Sequence, residues 1–93
     1  MKFKRFYNTG NVVRHFRLEL RLSQKKLGYL IGVGNSQVSN IEQGLCGVRA
    51  RDILKVSRAL KINSKVLIDA MTSDYKNYLR DRVMTEQLKG EKR

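Results

Sequence analysis

Residues 23–44, SQKKLGYLIGVGNSQVSNIEQG, constrain the fold more than any other stretch of the chain. Ser23 is a natural N-cap, because its hydroxyl accepts a hydrogen bond from a free backbone N–H of the first helical turn. Leu27 and Ile31 then recur at helical spacing, and Gly28 between them leaves room for a second helix to approach closely. The triplet Gly32-Val33-Gly34 interrupts the pattern, since glycine reaches left-handed backbone angles without strain. A second helical segment follows, with Val38 and Ile41 three apart on one face and Asn35, Ser36, Ser39, Asn40 and Gln43 mostly on the other. Gly44 is placed to end it. The expectation is two short helices, over residues 24–31 and 35–43, joined by a tight turn.

Two helices crossing at a steep angle over a three- or four-residue turn form a helix-turn-helix, whose second helix lies in the DNA major groove. The flanking sequence supplies apolar stripes to build a body around it. Val12, Val13, Phe16 and Leu20 predict a helix over 11–21, with Arg14, Arg17 and Arg21 off the stripe. Ile53, Val56 and Leu60 predict a helix over 50–60, and Val66, Leu67, Ala70 and Met71 one over 64–71. Beyond them, Tyr75, Tyr78, Leu79, Val83 and Met84 continue at helical period, and the last residues read as a frayed end. Residues 1–10 have no clear period: Lys2, Lys4 and Arg5 are interleaved with Phe3, Phe6 and Tyr7. This suits either a basic arm reaching phosphates or a minor groove, or a segment anchored to the body by its aromatics. The organisation expected is therefore an arm (1–10), a helical domain (11–71) with the motif proper at 24–43, and a helical extension (72–93).

An ordered set of motifs carries a family resemblance. Arg17, Ser23-Gln24, Leu27-Gly28, Gly32-Val33, Val38-Ser39, Glu42-Gln43-Gly44 and Ala59-Leu60-Lys61-Ile62 follow one another in that order. Over residues 12–71 the chain resembles the lambda-repressor/Cro-type (Xre) helix-turn-helix proteins. The resemblance implies an all-α, compact five-helix lambda-repressor-like domain; residues 72–93 fall outside it, and their period predicts an extra C-terminal helix. The chain departs from the family pattern at three places: Arg21 and Val48 stand where relatives often have glycine and proline, and Gly28 where they prefer alanine.

Composition points the same way. The net charge of +12 is concentrated toward the start, with eight Lys/Arg against one acid in residues 1–26. A chain this basic attracts polyanions, of which nucleic acid is the commonest; charge for solubility is the plain alternative. An anionic membrane is a weaker partner, because the cations do not form the polar face of one strongly apolar helix. The single cysteine, Cys46, leaves no intramolecular disulfide and no cysteine-based zinc site. No apolar run is long enough to span a bilayer, and the N-terminus lacks a signal-peptide core, so cytoplasmic residence is expected. Neither a cofactor nor a metal is expected. The eight acids are scattered, and His15 has no evident catalytic partner, so an enzyme is not expected either.

Asn and Gln pair bidentately with the N6/N7 edge of adenine, and serine discriminates less. The resemblance implies base reading by Asn35 and Ser36, then Ser39 and Asn40 one turn later, with Gln37 toward the side. It implies a phosphate contact for Gln24, and it pairs Arg17 with Glu42 as a structural ion pair between the first and third helices. Gln43, Lys25, Lys26, Arg49 and Arg51 are further phosphate candidates; cations near a helix start oppose its dipole unless an anion lies close. The function expected is a sequence-specific double-stranded DNA-binding transcriptional regulator, acting as a repressor. It is expected to be a homodimer on an inverted repeat, and the stripe of residues 72–93 is expected to meet a second copy, with packing back on its own domain as the alternative. The alternative is an antitoxin, whose spare segment grips a toxin protein.

Overall fold

The computed structural model describes the backbone of residues 4–91 and the side chains of residues 4–83. Within that range the chain is helical: α1 Tyr7–Glu19, α2 Gln24–Ile31, α3 Asn35–Glu42, a 3-10 turn Ala50–Asp52, α4 Ile53–Leu60 and α5 Ser64–Glu91. Val13, Leu27, Ile31, Val38, Ile41, Val48, Val56, Leu60 and Leu67 form one core, to which every α-helix contributes. Val12, Phe16, Ile53, Ile62 and Met71 pack around it, half-buried. Val48, in the place where relatives carry proline, turns its side chain into this core.

Helix ends follow short-range chemistry in most places. The Ser23 hydroxyl accepts from the Lys26 N–H at 2.9 Å. At the end of α3, Gly44 takes φ +77°, its N–H donates to Ile41 O, and the Leu45 N–H donates to Asn40 O. This double closure satisfies two carbonyls that the helix cannot. The same closure ends α1 and α4 without glycine. Arg21 and Lys61 both stand at φ 56°, with Leu22 N–H on Arg17 O and Ile62 N–H on Ser57 O. The missing glycine at Arg21 therefore leaves the corner between α1 and α2 in the left-handed form, held by a residue that pays a steric penalty there.

The boundaries of three expected helices are corrected. The first helix starts at Tyr7 instead of residue 11 and ends at Glu19. Its N-cap residue, Phe6, has no capping side chain; the cap comes from Asp74, far along the chain, which no local pattern announces. Residues 7–10, assigned to an arm, are thus the first turn of α1. The fourth helix opens as a 3-10 turn and becomes α-helical only at Ile53. The fifth does not stop at 71. Nothing between Met71 and Val83 breaks a helix, so the expected extra C-terminal helix is the continuation of α5, which runs to Glu91.

The stripe expected on the extension is also divided. Leu67, Ala70 and Asp74 are buried on one face of α5 and Tyr78 is half-buried, while Tyr75, Leu79 and Val83 are exposed on another. The Met84 side chain lies outside the described residues. Among the described residues, no helix is long and apolar enough to cross a membrane.

Candidate nucleic-acid interface

The motif is built from α2, the turn and α3. Gly32 closes α2 at φ 77°, and the Val33 N–H donates to Gly28 O at 2.8 Å. Gly28 is small for a different reason than expected: a Cβ there would meet Val33 O of the turn at 2.6 Å, not a second helix. Val38 and Ile41 seat the inner face of α3 in the core. Its outer face presents Asn35, Ser36, Gln37 and Asn40 to solvent, with Ser39 half-buried. Two of these polar groups have internal partners. The Gln43 Nε2 donates to Ser39 Oγ at 2.8 Å, and Gln37 Nε2 donates to Cys46 Sγ at 3.6 Å. Asn35, Ser36 and Asn40 are the side chains left foremost on this face.

Arg17 and Glu42 meet behind it. Arg17 Nε donates to Glu42 Oε2 at 2.6 Å and Nη2 to Oε1 at 2.9 Å, while Nη1 donates to Leu22 O at 2.7 Å. The two side chains are only 11% and 4% exposed, so the pair is nearly dry. The hydrogen bond to Glu42 raises the Arg17 pKa, burial opposes that, and the Glu42 charge adds to the rise. Bidentate geometry fixes a planar guanidinium on a planar carboxylate, which ties the last turn of α3 to α1 in one orientation. Gln24 joins the same network, its Nε2 donating to Glu42 Oε1 at 3.2 Å. The residue marked for a phosphate contact thus also buttresses the ion pair.

Exposed cations lie on α2 and along a groove beside α3. Lys25 and Lys26 lie exposed on the first turn of α2, with Lys26 Nζ 5.3 Å from the centroid of the Tyr29 ring. Arg49 and Arg51, also exposed, line a groove that runs from the Gly32–Gly34 turn past Gln37 to α4. Lys55 lines it too. Sequence reasoning missed Lys55, although its place one helical turn after Arg51 was the available signal. The groove also holds Asp52, so its charge is not uniform.

The remaining candidates sit elsewhere. Arg5 is stacked on the protein, its guanidinium carbon 4.1 Å from the Tyr78 ring centroid and 5.1 Å from that of Phe6. The Phe6 ring packs on Gly47, so from Lys4 onward the aromatic anchor, not the free arm, describes this segment; Lys2 and Phe3 lie outside the described residues. His15 is a surface residue whose Nε2 lies 3.8 Å from Glu19 Oε1. Burial pushes the Cys46 thiol pKa up, away from the depressed values that mark reactive thiols.

A tight two-helix motif with an amide-and-hydroxyl face, braced by an ion pair and bordered by a groove that carries cations, defines a helix-turn-helix domain of the lambda-repressor/Cro (Xre) type. Residues 10–71 match the family described as "Helix-turn-helix domain", and the chain belongs to that family. It is 36% identical over 64 residues to the control protein C.BamHI of Bacillus amyloliquefaciens, covering 68% of this chain and 79% of that one. The restriction-modification controller protein C.AhdI from Aeromonas hydrophila superposes with a TM-score of 0.62 at 34% identity, over 67% of this chain and 90% of that one. The P22 c2 repressor, solved with a synthetic operator, superposes with a TM-score of 0.61 at 29% identity, over 63% and 89%.

Proposed function

We propose that this chain is a sequence-specific double-stranded DNA-binding transcriptional regulator of the repressor type. The carrying observation is the outer face of α3, polar and uncharged, held to α1 by a nearly dry ion pair. Neutral groups read base edges, and cations around them set affinity through phosphates. In this reading Asn35, Ser36 and Asn40 face the bases, with Gln37 and Ser39 beside them. Gln24, Lys25, Lys26, Gln43, Arg49, Arg51 and Lys55 face the backbone. One such module covers few base pairs, so the protein acts as a homodimer on two half-sites roughly 34–36 Å apart. The exposed Tyr75, Leu79 and Val83 on α5 are the surface offered to the second copy. Relatives named as control proteins and a repressor favour this reading over an antitoxin.

The test is a fluorescence-anisotropy titration on DNA from upstream of the chain's own gene against scrambled DNA, over a salt series. Operator binding should exceed scrambled binding by on the order of 10³-fold or more and weaken steeply with salt. Absence of binding to any DNA at low salt, including a random-sequence pool, would overturn the reading.

A further inference from the structure

We propose that Asp74 is a positioning residue for the recognition helix: it clamps α5, beyond the end of the family domain, onto the start of α1, and so sets the C-terminal end of α3. The inference rests on the DNA-binding reading for its functional consequence, and on geometry alone for its mechanical one.

Asp74 lies three residues past the family match, which ends at residue 71, yet it is 3% exposed. A buried carboxylate must be compensated, or it loses several kcal/mol of hydration without return. The compensation comes from α1. Asn8 N–H donates to Oδ1 at 2.8 Å, Thr9 N–H to Oδ2 at 2.9 Å, and Thr9 Oγ1 to Oδ2 at 2.6 Å. These two amides are orphans of the first helical turn, where the helix dipole also favours an anion. The acceptor that Phe6 cannot supply is thus delivered by a residue 66 positions beyond Asn8.

The capped turn is also where the α1 backbone meets the backbone at the end of α3, besides the Arg17–Glu42 side-chain contact. A Cβ at Gly10 would stand 2.5 Å from Ile41 O and 2.8 Å from Glu42 O, so the two backbones are in direct contact. The Phe6 N–H donates to Gly44 O at 3.2 Å, and Gly44 itself is packed against Lys4, Phe6 and Tyr7. Asp74, the first turn of α1 and the closure of α3 are therefore one block. A shift of the first turn moves the carbonyl end of α3 and tilts Asn35, Ser36 and Asn40 against the bases. Bidentate base contacts tolerate only fractions of an ångström.

The experiment compares the full chain with Asp74→Asn and Thr9→Val, both assayed well below their melting temperatures. Asp74→Asn should weaken operator binding by about tenfold, the discrimination of one good base contact, while scrambled-DNA affinity and salt slope stay at or above wild type. Removing an acid alone would raise affinity for any DNA, so the expected loss has the opposite sign to the charge effect. Thr9→Val should follow in the same direction, less strongly, and keeps the test open if Asp74→Asn fails to fold. A core variant, Ile53→Val, chosen to lower stability comparably, should leave the ratio of operator to scrambled affinity unchanged.

Equal operator affinity for both variants and wild type, or a parallel loss on both DNAs, would overturn the proposal. Amide exchange supplies a readout without DNA. Both variants should speed exchange at Gly44 and Leu45 as well as at Asn8 and Thr9. Faster exchange confined to Asn8 and Thr9 would overturn the mechanical claim. If wild type fails to discriminate the operator while exchange behaves as expected, the DNA-binding reading fails and the clamp stands.

Discussion

Glu42 and Asp74 are both carboxylates kept almost wholly from solvent, yet Glu42 faces a full opposite charge and Asp74 faces neutral N–H and O–H groups. Each joins α1 to another helix, Glu42 from α3 and Asp74 from α5. The difference lies in what remains when one is removed. Without Glu42, the Arg17 guanidinium stays buried and uncompensated. Without Asp74, two amides and a hydroxyl lose a partner, but no bare charge is left behind. Pairing by charge therefore makes a joint that costs more to break from one side than capping by dipoles does.

The largest expected effect is on the charged joint. Glu42→Ala should cost about 3–5 kcal/mol, because Arg17 is stranded, whereas exposed Asn40→Ala should stay within about 0.5 kcal/mol. Thermal unfolding measures both, and equal melting temperatures would remove the structural role from the pair. Replacing both partners by apolar residues, Arg17→Met with Glu42→Leu, should recover most of the loss, since no charge then remains buried.

Asp74→Ala comes next, at about 1–3 kcal/mol for lost hydrogen bonds to a charged acceptor. Chemical denaturation of the two single variants ranks the joints directly. A cost for Asp74→Ala equal to that of Glu42→Ala would break the distinction between charge pairing and dipole capping.

The smallest effect is a gain. Arg21→Gly and Lys61→Gly each relieve a left-handed residue and should stabilise by about 1 kcal/mol. Arg21 adjoins Leu22, whose carbonyl takes the third Arg17 hydrogen bond, whereas Lys61 ends α4. A rise in melting temperature for Lys61→Gly with a fall for Arg21→Gly would show that the corner itself helps hold the ion pair.

These joints were not equally legible. The Arg17–Glu42 pairing and the polar face of α3 were carried by an ordered motif and by helical spacing, so both could be placed before any coordinates. Asp74 sat inside a stretch read as an amphipathic extension. Its one signal was its spacing from Leu67 and Ala70, seven and four residues on along the same inward face. Tyr78 was grouped with Tyr75, Leu79 and Val83, but it lies under Arg5 on the domain side. Lys55 was passed over because its value depends on the groove that α4 and the turn form together.

Capping by Ser23, closure at Gly44 and the periodicities of the core helices act over a few residues, so the sequence by itself determined the helices of the motif, their apolar faces and the family. Where α1 begins, how far α5 runs on, and which side of α5 meets the body were decided only in three dimensions. Those outcomes depend on a carboxylate reaching amides 65 and 66 positions away and on two backbones meeting at Gly10. Such contacts exist only once the helices have packed.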